Sequence, residues 1–247
     1  MTDFAFLHGG GQGSWVWADT IAALERQTGG TARCIGLDVP GCGTKRGRDT
    51  DGLELPGVAA ELVGDIERAG LSDVVLVGHS QAGSTLPIMA GIAPDLFRRI
   101  VFVSCLATPP GRNSLQIMGN CRHGASDTEV GWPVDPATAT MEERFGAMFC
   151  NDMAPADCEA FLARLGQDQW PKQTYGFTDF RYDHLGSIAS TYVRCELDQA
   201  LPPIWQDRFA ARFQADRIVS LNAGHQAMNT RPEELAAILL AEAALTA

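Results

Sequence analysis

The sequence contains no apolar run that approaches the ~20 residues needed by a bilayer-spanning helix. Residues 1–7 also lack the basic start, the longer apolar stretch and the small-residue cleavage site of an export signal. These two absences predict a cytoplasmic protein without a membrane partner.

Basic residues are scarce relative to acidic ones. The chain of 247 residues has 19 Lys and Arg residues against 30 Asp and Glu residues, which gives a formal net charge of −11. A protein that binds a phosphate backbone presents a basic face. We therefore expect no nucleic-acid partner.

Metal-binding and disulfide patterns are missing as well. The seven cysteines are an odd number and include no C-x-x-C pair, which favours free or buried thiols over a disulfide framework. There is no H-E-x-x-H segment, no P-loop and no clustered set of His and Asp residues. The sequence therefore predicts neither a metal nor another cofactor.

Short apolar runs alternate with helical periodicity through most of the chain. Residues 74–77 and 100–103 show no polar alternation, as expected of central parallel strands that are covered on both faces. The predicted strands are 4–7, 32–37, 74–77, 100–103, 191–197 and 217–221, and a closing helix is predicted over 232–244. This alternation predicts an α/β fold with a mostly parallel central sheet flanked by helices.

Residues 108–186 interrupt that alternation. They contain no convincing strand, and two helical patterns occur at 137–149 and 156–165. Because the segment is too long for a plain loop, we predict a helical cap inserted into a core formed by residues 1–107 and 187–247. Aromatic residues are frequent in the segment. Some should pack the cap onto the sheet, and we assign substrate contact to Trp132, Phe149 and Trp170.

The motif with the most chemical content is Gly78-His79-Ser80-Gln81-Ala82-Gly83, which follows the strand at 74–77 and precedes an apolar helical pattern. It departs from G-x-S-x-G only by a second small residue, alanine, in place of the last glycine. Such a strand–turn–helix places the serine hydroxyl above the sheet as a nucleophile. The alternative is an ordinary turn, and the flanking strand and helix favour the nucleophile.

A serine hydroxyl needs a base and the base needs an acid. His225 follows the last predicted strand, whereas the other four histidines lie in a glycine loop, beside the serine or in the cap segment. Asp198 follows the strand at 191–197, and Glu196 is the alternative acid. Residues 104–126, the other place for such an acid, contain none. The order Ser80, Asp198, His225 suits this architecture.

Acyl transfer also needs donors for the oxyanion of the tetrahedral intermediate. We assign the backbone N–H groups of Gly10, in the glycine loop after the first strand, and of Gln81, at the start of the helix after the serine. The alternative is that the glycines only form a tight turn. A dinucleotide loop fits poorly, because the glycines do not form G-x-G-x-x-G.

With these motifs the chain resembles the α/β-hydrolase superfamily, and more narrowly the branch of plant methyl esterases, S-selective hydroxynitrile lyases and small bacterial esterases. The resemblance covers nearly the whole chain, through Leu7-His8-Gly9-Gly10, Gly13-Ser14-Trp15-Val16-Trp17, Gly36-Leu37-Asp38-Val39-Pro40-Gly41, the serine turn, Arg194-Cys195-Glu196-Leu197-Asp198 and Gly224-His225. It implies the triad Ser80, Asp198 and His225 and the oxyanion donors Gly10 and Gln81.

Two positions depart from the lyases of this branch. The lyases carry a threonine after the first-strand histidine and a lysine after the catalytic histidine, where this chain has Gly9 and Gln226. We assign both residues to substrate contact and expect hydrolysis of a small-molecule ester, such as a methyl or aryl ester of an apolar acid. A lyase or carbon–carbon bond hydrolase with the same triad, and a non-catalytic receptor, are the alternatives. A homodimer is one assembly compatible with the sequence.

Overall fold

The structure, a computed structural model, describes residues 2–245. Over that range six parallel strands form one sheet, and each overlaps one of the six predicted strands. The strands are β1 (Asp3–Leu7), β2 (Arg33–Leu37), β3 (Val74–His79), β4 (Phe97–Val103), β5 (Ala189–Cys195) and β6 (Arg217–Leu221). The predicted α/β class is confirmed. The outermost residues of the predicted core, 1, 246 and 247, lie outside the described range.

Nine α-helices accompany the strands within residues 2–245. They are α1 (Ala18–Thr28), α2 (Leu55–Arg68), α3 (Leu86–Ile92), α4 (Ser114–Met118), α5 (Met141–Phe149), α6 (Pro155–Arg164), α7 (Pro203–Arg212), α8 (Ala227–Thr230) and α9 (Pro232–Ala243). Short 3-10 turns occur at Ser14–Trp17, Gly43–Lys45, Ser80–Ser84, Pro94–Leu96, Lys172–Gly176 and Asp183–Ser187. The closing helix is confirmed at α9.

The order of strands determines where a site can form. Across the sheet the order is β2-β1-β3-β4-β5-β6, so the direction of winding reverses between β1 and β3. Leu7 at the end of β1 is in register with Gly78 near the end of β3. The loops that follow these two strands therefore leave the same sheet edge side by side. Open α/β sheets bind their ligands at such a reversal, outside the carboxyl ends of the strands.

Apolar side chains cover both faces of the sheet, which explains why β1 and β3 lack polar alternation. One layer lies under α2, α3 and α7 and includes Leu62, Met89 and Phe209. The opposite layer lies under α1 and α9 and includes Leu24 and Leu239. Each such side chain contributes about 1.5–3 kcal/mol when it is removed from water. The sheet is therefore a rigid base for the loops at its carboxyl edge.

Residues 108–186, every one of which is described, contribute no strand to the sheet. They form α4, α5 and α6 and connecting turns. The second predicted helix, 156–165, matches α6, whereas the first, 137–149, begins four residues later than expected, at α5. The reason is a capping box: the Thr140 hydroxyl accepts the Glu143 N–H at 3.2 Å, and the Glu143 carboxylate accepts the Thr140 N–H at 2.7 Å.

A buried carboxylate ties this segment to the sheet loops. Asp168, which is fully buried, accepts hydrogen bonds from the Trp15 indole N–H at 2.9 Å, the Gly43 backbone N–H at 2.9 Å and the Arg46 guanidinium at 2.8 Å. Burial acts to raise the pKa of the Asp168 carboxyl, but these hydrogen bonds outweigh it and the pKa lies below its ordinary value. The carboxylate therefore stabilises the folded state in its charged form.

Replacement of Asp168 by asparagine is expected to lower the free energy of unfolding by about 2–4 kcal/mol near neutral pH, because the guanidinium and an N–H lose their partner. A carboxyl whose pKa is lower in the folded state stabilises the fold above its unfolded pKa, and this contribution is lost as the pH falls through the folded pKa. The difference between wild type and variant should therefore narrow below about pH 4. Urea unfolding near pH 7 and near pH 3 measures it.

The matched control is Asp179→Asn, which removes an exposed carboxylate of the same segment paired with Arg181. It should change the free energy of unfolding by less than about 0.5 kcal/mol. An Asp168→Asn variant as stable as this control at neutral pH would contradict the role assigned to Asp168.

All seven cysteines lie among the described residues and are free thiols, as predicted. Within residues 2–245 the helices are too short or too polar for any of them to cross a bilayer.

Candidate active site

Ser80 occupies a strained turn at the end of β3. Its φ of +55° is in the left-handed region that non-glycine residues rarely adopt. The chain folds tightly on both sides, since a Cβ on Gly78 would lie 2.6 Å from the Leu86 side chain and a Cβ on Gly83 would lie 2.2 Å from the Leu106 carbonyl oxygen. The two glycines permit this approach, and the turn lifts the Ser80 hydroxyl above the sheet edge.

His225 reaches Ser80 from the loop after β6. Its Nε2 lies 2.9 Å from Ser80 Oγ, and its Nδ1 lies 2.7 Å from Asp198 Oδ2. An ionised carboxylate only accepts hydrogen bonds, so Nδ1 carries the proton and Nε2 is free to accept the Ser80 O–H. The ring is 1% exposed, which keeps bulk water from competing for either contact.

Asp198 is fully buried after β5 and is held at both oxygens. Oδ1 accepts the backbone N–H groups of Ala200 at 2.7 Å and Leu201 at 2.8 Å, while Oδ2 accepts the Ser104 hydroxyl at 2.5 Å besides His225. Glu196, the alternative acid, turns away to Arg194, whose guanidinium donates to its carboxylate at 2.9 Å. The structure therefore brings Asp198, and not Glu196, to the imidazole.

His79 supports the imidazole from behind. It is fully buried, and its Nε2 donates to the His225 carbonyl oxygen at 2.9 Å, with the two ring centroids 4.5 Å apart. Burial, together with the charge of His225, holds the pKa of His79 well below its ordinary value. The neutral His79 ring thus holds the backbone of His225 in place. The imidazole that contacts Ser80 is that of His225.

The predicted oxyanion donors lie next to the serine. Gly10 and Gln81 both line the cavity that contains Ser80, and a Cβ on Gly10 would come within 2.3 Å of Gln81 Oε1. Any larger residue at position 10 would therefore displace the Gln81 side chain. Both residues thus border the space above Ser80, and the donor role of their N–H groups stays a prediction.

A mostly apolar cavity of about 330 Å³ opens above Ser80. Among the described residues its wall contains no Asp, Glu, Lys or Arg side chain. The wall is formed by Gly10, Gly11, Gln12, Ser80, Gln81, Leu106, Ser114, Leu115, Met118, Phe145, Met148, Phe149, Leu165, Gly166, Tyr175, Ala200, Leu201 and His225. Such a wall suits an uncharged, apolar ligand.

A family model described as "Alpha/beta hydrolase family" matches residues 4–238 of the chain. The chain belongs to the alpha/beta hydrolase family. The sequence-based identification of the superfamily and of its fold is thereby confirmed.

Several curated relatives and solved structures match almost the whole of this alpha/beta hydrolase. Methylesterase 7 of Arabidopsis thaliana is 26% identical over 250 residues, which span 96% of this chain and 94% of the relative. Polyneuridine aldehyde esterase of Rauvolfia serpentina is 22% identical, with 96% and 94% covered. An extracellular alpha/beta-hydrolase from a Paenibacillus species has the same fold, with a TM-score of 0.77 at 20% identity over 98% of this chain and 99% of that one.

The structure does not bring all the predicted substrate-contacting residues of this alpha/beta hydrolase to the cavity. Phe149 lines it, with its ring 5.4 Å from that of His225. Trp132 instead packs beneath the Arg144 guanidinium, and the Trp170 indole N–H donates to the Gly9 carbonyl oxygen at 3.2 Å. Trp132 and Trp170 therefore make packing and hydrogen-bond contacts that hold residues 108–186, and neither forms part of the cavity wall.

Gly9 and Gln226 also lie outside the cavity wall, which is made up of described residues only. A Cβ on Gly9 would lie 3.1 Å from Ser80 Cβ, so a side chain at this position would press against the turn that holds Ser80. Gln226 is fully buried, and neither atom of its amide has a hydrogen-bond partner among residues 2–245. The predicted substrate contact of Gln226 is therefore not found in this structure.

Two neighbouring residues within 108–186, which sequence reasoning missed, hold the loops that carry Asp198 and His225. Asn151 Nδ2 donates to the carbonyl oxygen of Leu197, just before Asp198, at 2.8 Å. Asp152 Oδ2 accepts the N–H of Gly224, just before His225, at 2.7 Å. A polar pair between two helical patterns was the only sequence signal, and it indicates a loop more readily than an anchor.

Among the described residues, no group of three or more His, Cys, Asp and Glu side chains is arranged to hold a metal ion. The absence of a cofactor stays a prediction from the sequence.

Proposed function

We propose that this alpha/beta hydrolase cleaves carboxylic esters through an acyl-enzyme on Ser80. The observation that carries the proposal is the unbroken chain of hydrogen bonds from Ser80 Oγ through His225 to Asp198, at 2.9 and 2.7 Å, on the wall of an apolar cavity. The names of two relatives, Methylesterase 7 and polyneuridine aldehyde esterase, support the same class of reaction.

In the first half-reaction His225 Nε2 takes the proton of Ser80 as Oγ attacks the ester carbonyl carbon. The backbone N–H groups of Gly10 and Gln81 stabilise the oxyanion that forms. Asp198, acceptor of the Nδ1 proton, stabilises the resulting imidazolium. The imidazolium then gives its proton to the alcohol oxygen, the carbon–oxygen bond breaks, and the alcohol departs.

In the second half-reaction a water molecule takes the place of the alcohol. His225 removes its proton as the water oxygen attacks the acyl carbon, and a second oxyanion forms at the same donors. The protonated imidazole returns a proton to Ser80 Oγ when the bond to the acyl group breaks. The carboxylic acid leaves, and the enzyme is restored.

The cavity wall supports an uncharged substrate with an apolar acyl or alcohol group. Its described residues offer no cation to bind a second carboxylate, and Leu115, Met118, Phe145, Met148 and Phe149 supply apolar surface. All five belong to residues 108–186, which supports the proposal that this segment acts as a cap over the sheet edge. We therefore propose methyl or aryl esters of apolar acids as the substrate class.

Hydrolysis is favoured over cyanohydrin cleavage by the residue after the base. The lyases of the resembling branch use a lysine there to stabilise departing cyanide, whereas Gln226 is neutral, fully buried and outside the cavity wall. It offers no charge to an anion above Ser80. A non-catalytic receptor has no need of a serine in contact with an imidazole that is itself held by a buried carboxylate.

The deciding experiment combines a panel of methyl and aryl esters, a cyanohydrin and a fluorophosphonate probe. We expect ester turnover with release of the free acid and one covalent label, located at Ser80 by mass spectrometry of the digested protein. Release of cyanide or aldehyde from the cyanohydrin without ester turnover would favour the lyase. An unlabelled protein that turns over nothing in the panel would favour the receptor.

A further inference from the structure

Ser104 lies at the carboxyl end of β4, between the nucleophile turn and the acid. Its carbonyl oxygen accepts the Ser80 N–H at 3.1 Å, and its own N–H donates to the Val193 carbonyl oxygen at 3.0 Å. The backbone of Ser104 thus joins the serine turn to the sheet between β3 and β5. These contacts are made by the main chain and would survive a change of side chain.

The hydroxyl of Ser104 makes a separate contact. It donates to Asp198 Oδ2 at 2.5 Å, and the same oxygen accepts His225 Nδ1–H at 2.7 Å. Ser104 and Asp198 are both fully buried, so water does not replace this donor if it is removed. Hydrogen bonds to an ionised group are about twice as strong as neutral ones, and burial strengthens them further.

The two oxygens of Asp198 are held in different ways. Oδ1 is fixed by the N–H groups of Ala200 and Leu201, which belong to the same loop as the aspartate. Oδ2 is fixed from outside that loop, by the Ser104 hydroxyl. Without the Ser104 hydroxyl, Oδ2 would have no hydrogen-bond donor except the imidazole that it orients, and a rotation about the Cβ–Cγ bond would be opposed only by the two bonds to Oδ1.

The backbone of Ser104 gives a further reason to ascribe a role to its side chain. Its φ of +41° lies in the left-handed region, where glycine is unstrained and other residues are disfavoured by about 1–2 kcal/mol. A serine at this position therefore costs stability, and the one contact that glycine could not make is the hydrogen bond to Asp198.

We propose that Ser104 is a positioning residue, whose hydroxyl locks the Asp198 carboxylate in the orientation that presents Oδ2 to the His225 imidazole. It does not line the cavity and acts only through Asp198. The proposal deepens the esterase function proposed above and rests on it.

The first test replaces Ser104 by alanine and, separately, by glycine. Both should lower kcat for an ester by about 10- to 50-fold, as expected for one lost hydrogen bond to a charged group, with KM unchanged. A merely structural role predicts a different order, because glycine relieves the strain at φ +41° and should restore activity. Full activity in either folded variant would overturn the proposal.

Circular dichroism and unfolding midpoints establish that the variants fold. The matched control is Ser187→Ala, which changes an exposed serine outside the cavity wall.

The second test combines Ser104→Ala with Asp198→Asn. If Ser104 acts only through the carboxylate, its loss has nothing further to disturb, and the double variant should be within about threefold of Asp198→Asn alone. Losses that multiply would show that Ser104 acts by another route and would overturn the proposal.

A third readout needs no substrate. The Nδ1 proton of His225, held by Asp198, should give a far-downfield proton NMR signal, which His225→Gln identifies by its disappearance. We expect this signal in the wild type and its broadening or loss in Ser104→Ala. An unchanged signal would overturn the positioning role even if no ester were turned over. Conversely, wild-type protein that keeps the signal but neither cleaves the ester panel nor takes up the fluorophosphonate would refute the proposed function alone.

Discussion

Ser80→Ala is expected to lower ester turnover by about 10⁵- to 10⁶-fold, the scale found when a serine nucleophile of a triad is removed. Alanine has no oxygen to attack the carbonyl carbon, so an acyl-enzyme cannot form. What remains is the effect of the cavity and of the N–H groups of Gly10 and Gln81, which bind the substrate and polarise its carbonyl. Steady-state kinetics with the best ester of the panel measures the loss.

The fold should not change in this variant. Ser80 holds its φ of +55° through backbone contacts with the β4 end, since Leu106 N–H donates to the Ser80 carbonyl oxygen at 3.0 Å and Ser80 N–H donates to Ser104. We expect an unfolding midpoint within a few degrees of wild type and no fluorophosphonate label. Ser187→Ala should keep both turnover and label. Turnover within tenfold of wild type in purified Ser80→Ala would refute the mechanism.

The sheet could be predicted from the sequence because its signal is local. A strand covered on both faces must be apolar throughout, so Val74, Val75, Leu76 and Val77 identify a strand without knowledge of its neighbours. The serine turn is also local, since its small residues are demanded by contacts within a few positions. The start of α5 was predicted four residues too early, because the capping box of Thr140 and Glu143 begins the helix there whatever the apolar periodicity of the preceding residues.

The contacts that buried polar and aromatic side chains of residues 108–186 make could not be predicted from local sequence patterns. Trp170 donates to a carbonyl oxygen 161 positions earlier in the chain, and Asp152 accepts an N–H 72 positions later. Aromatic content predicts that a segment is apolar, but only its packing decides which rings face the cavity. Phe149 and Trp132 have the same composition signal and opposite outcomes.

Ser104 illustrates the limit most sharply. Residues 104–126, the second place for the acid, contain no Asp or Glu, so the sequence predicts no site residue at the end of β4. In the structure the hydroxyl of Ser104, directly after β4, donates to the carboxylate of Asp198, 94 positions later in the chain. A polar residue directly after a central strand is therefore a signal in its own right at this sheet edge.

Asp198→Asn is expected to lower kcat by about 10⁴-fold with little change in KM, and the reason is the tautomer of His225. The asparagine oxygen would replace Oδ1, where it can still accept the N–H groups of Ala200 and Leu201. Its NH₂ group would then stand where Oδ2 accepts the imidazole, so His225 Nδ1 must become an acceptor. The proton moves to Nε2, which can no longer take the proton of Ser80.

The matched control is Glu196→Gln, which removes the other acid of the same loop. Its carboxylate accepts Arg194 at 2.9 Å and makes no contact with the imidazole, so we expect turnover within about threefold of wild type. Both variants should keep the far-ultraviolet circular dichroism of the wild type. Because the chemistry depends on which nitrogen of one buried ring holds its proton, the two carboxylates, two residues apart, should differ by more than a thousandfold. A larger loss in Glu196→Gln than in Asp198→Asn would reverse the assignment of the acid.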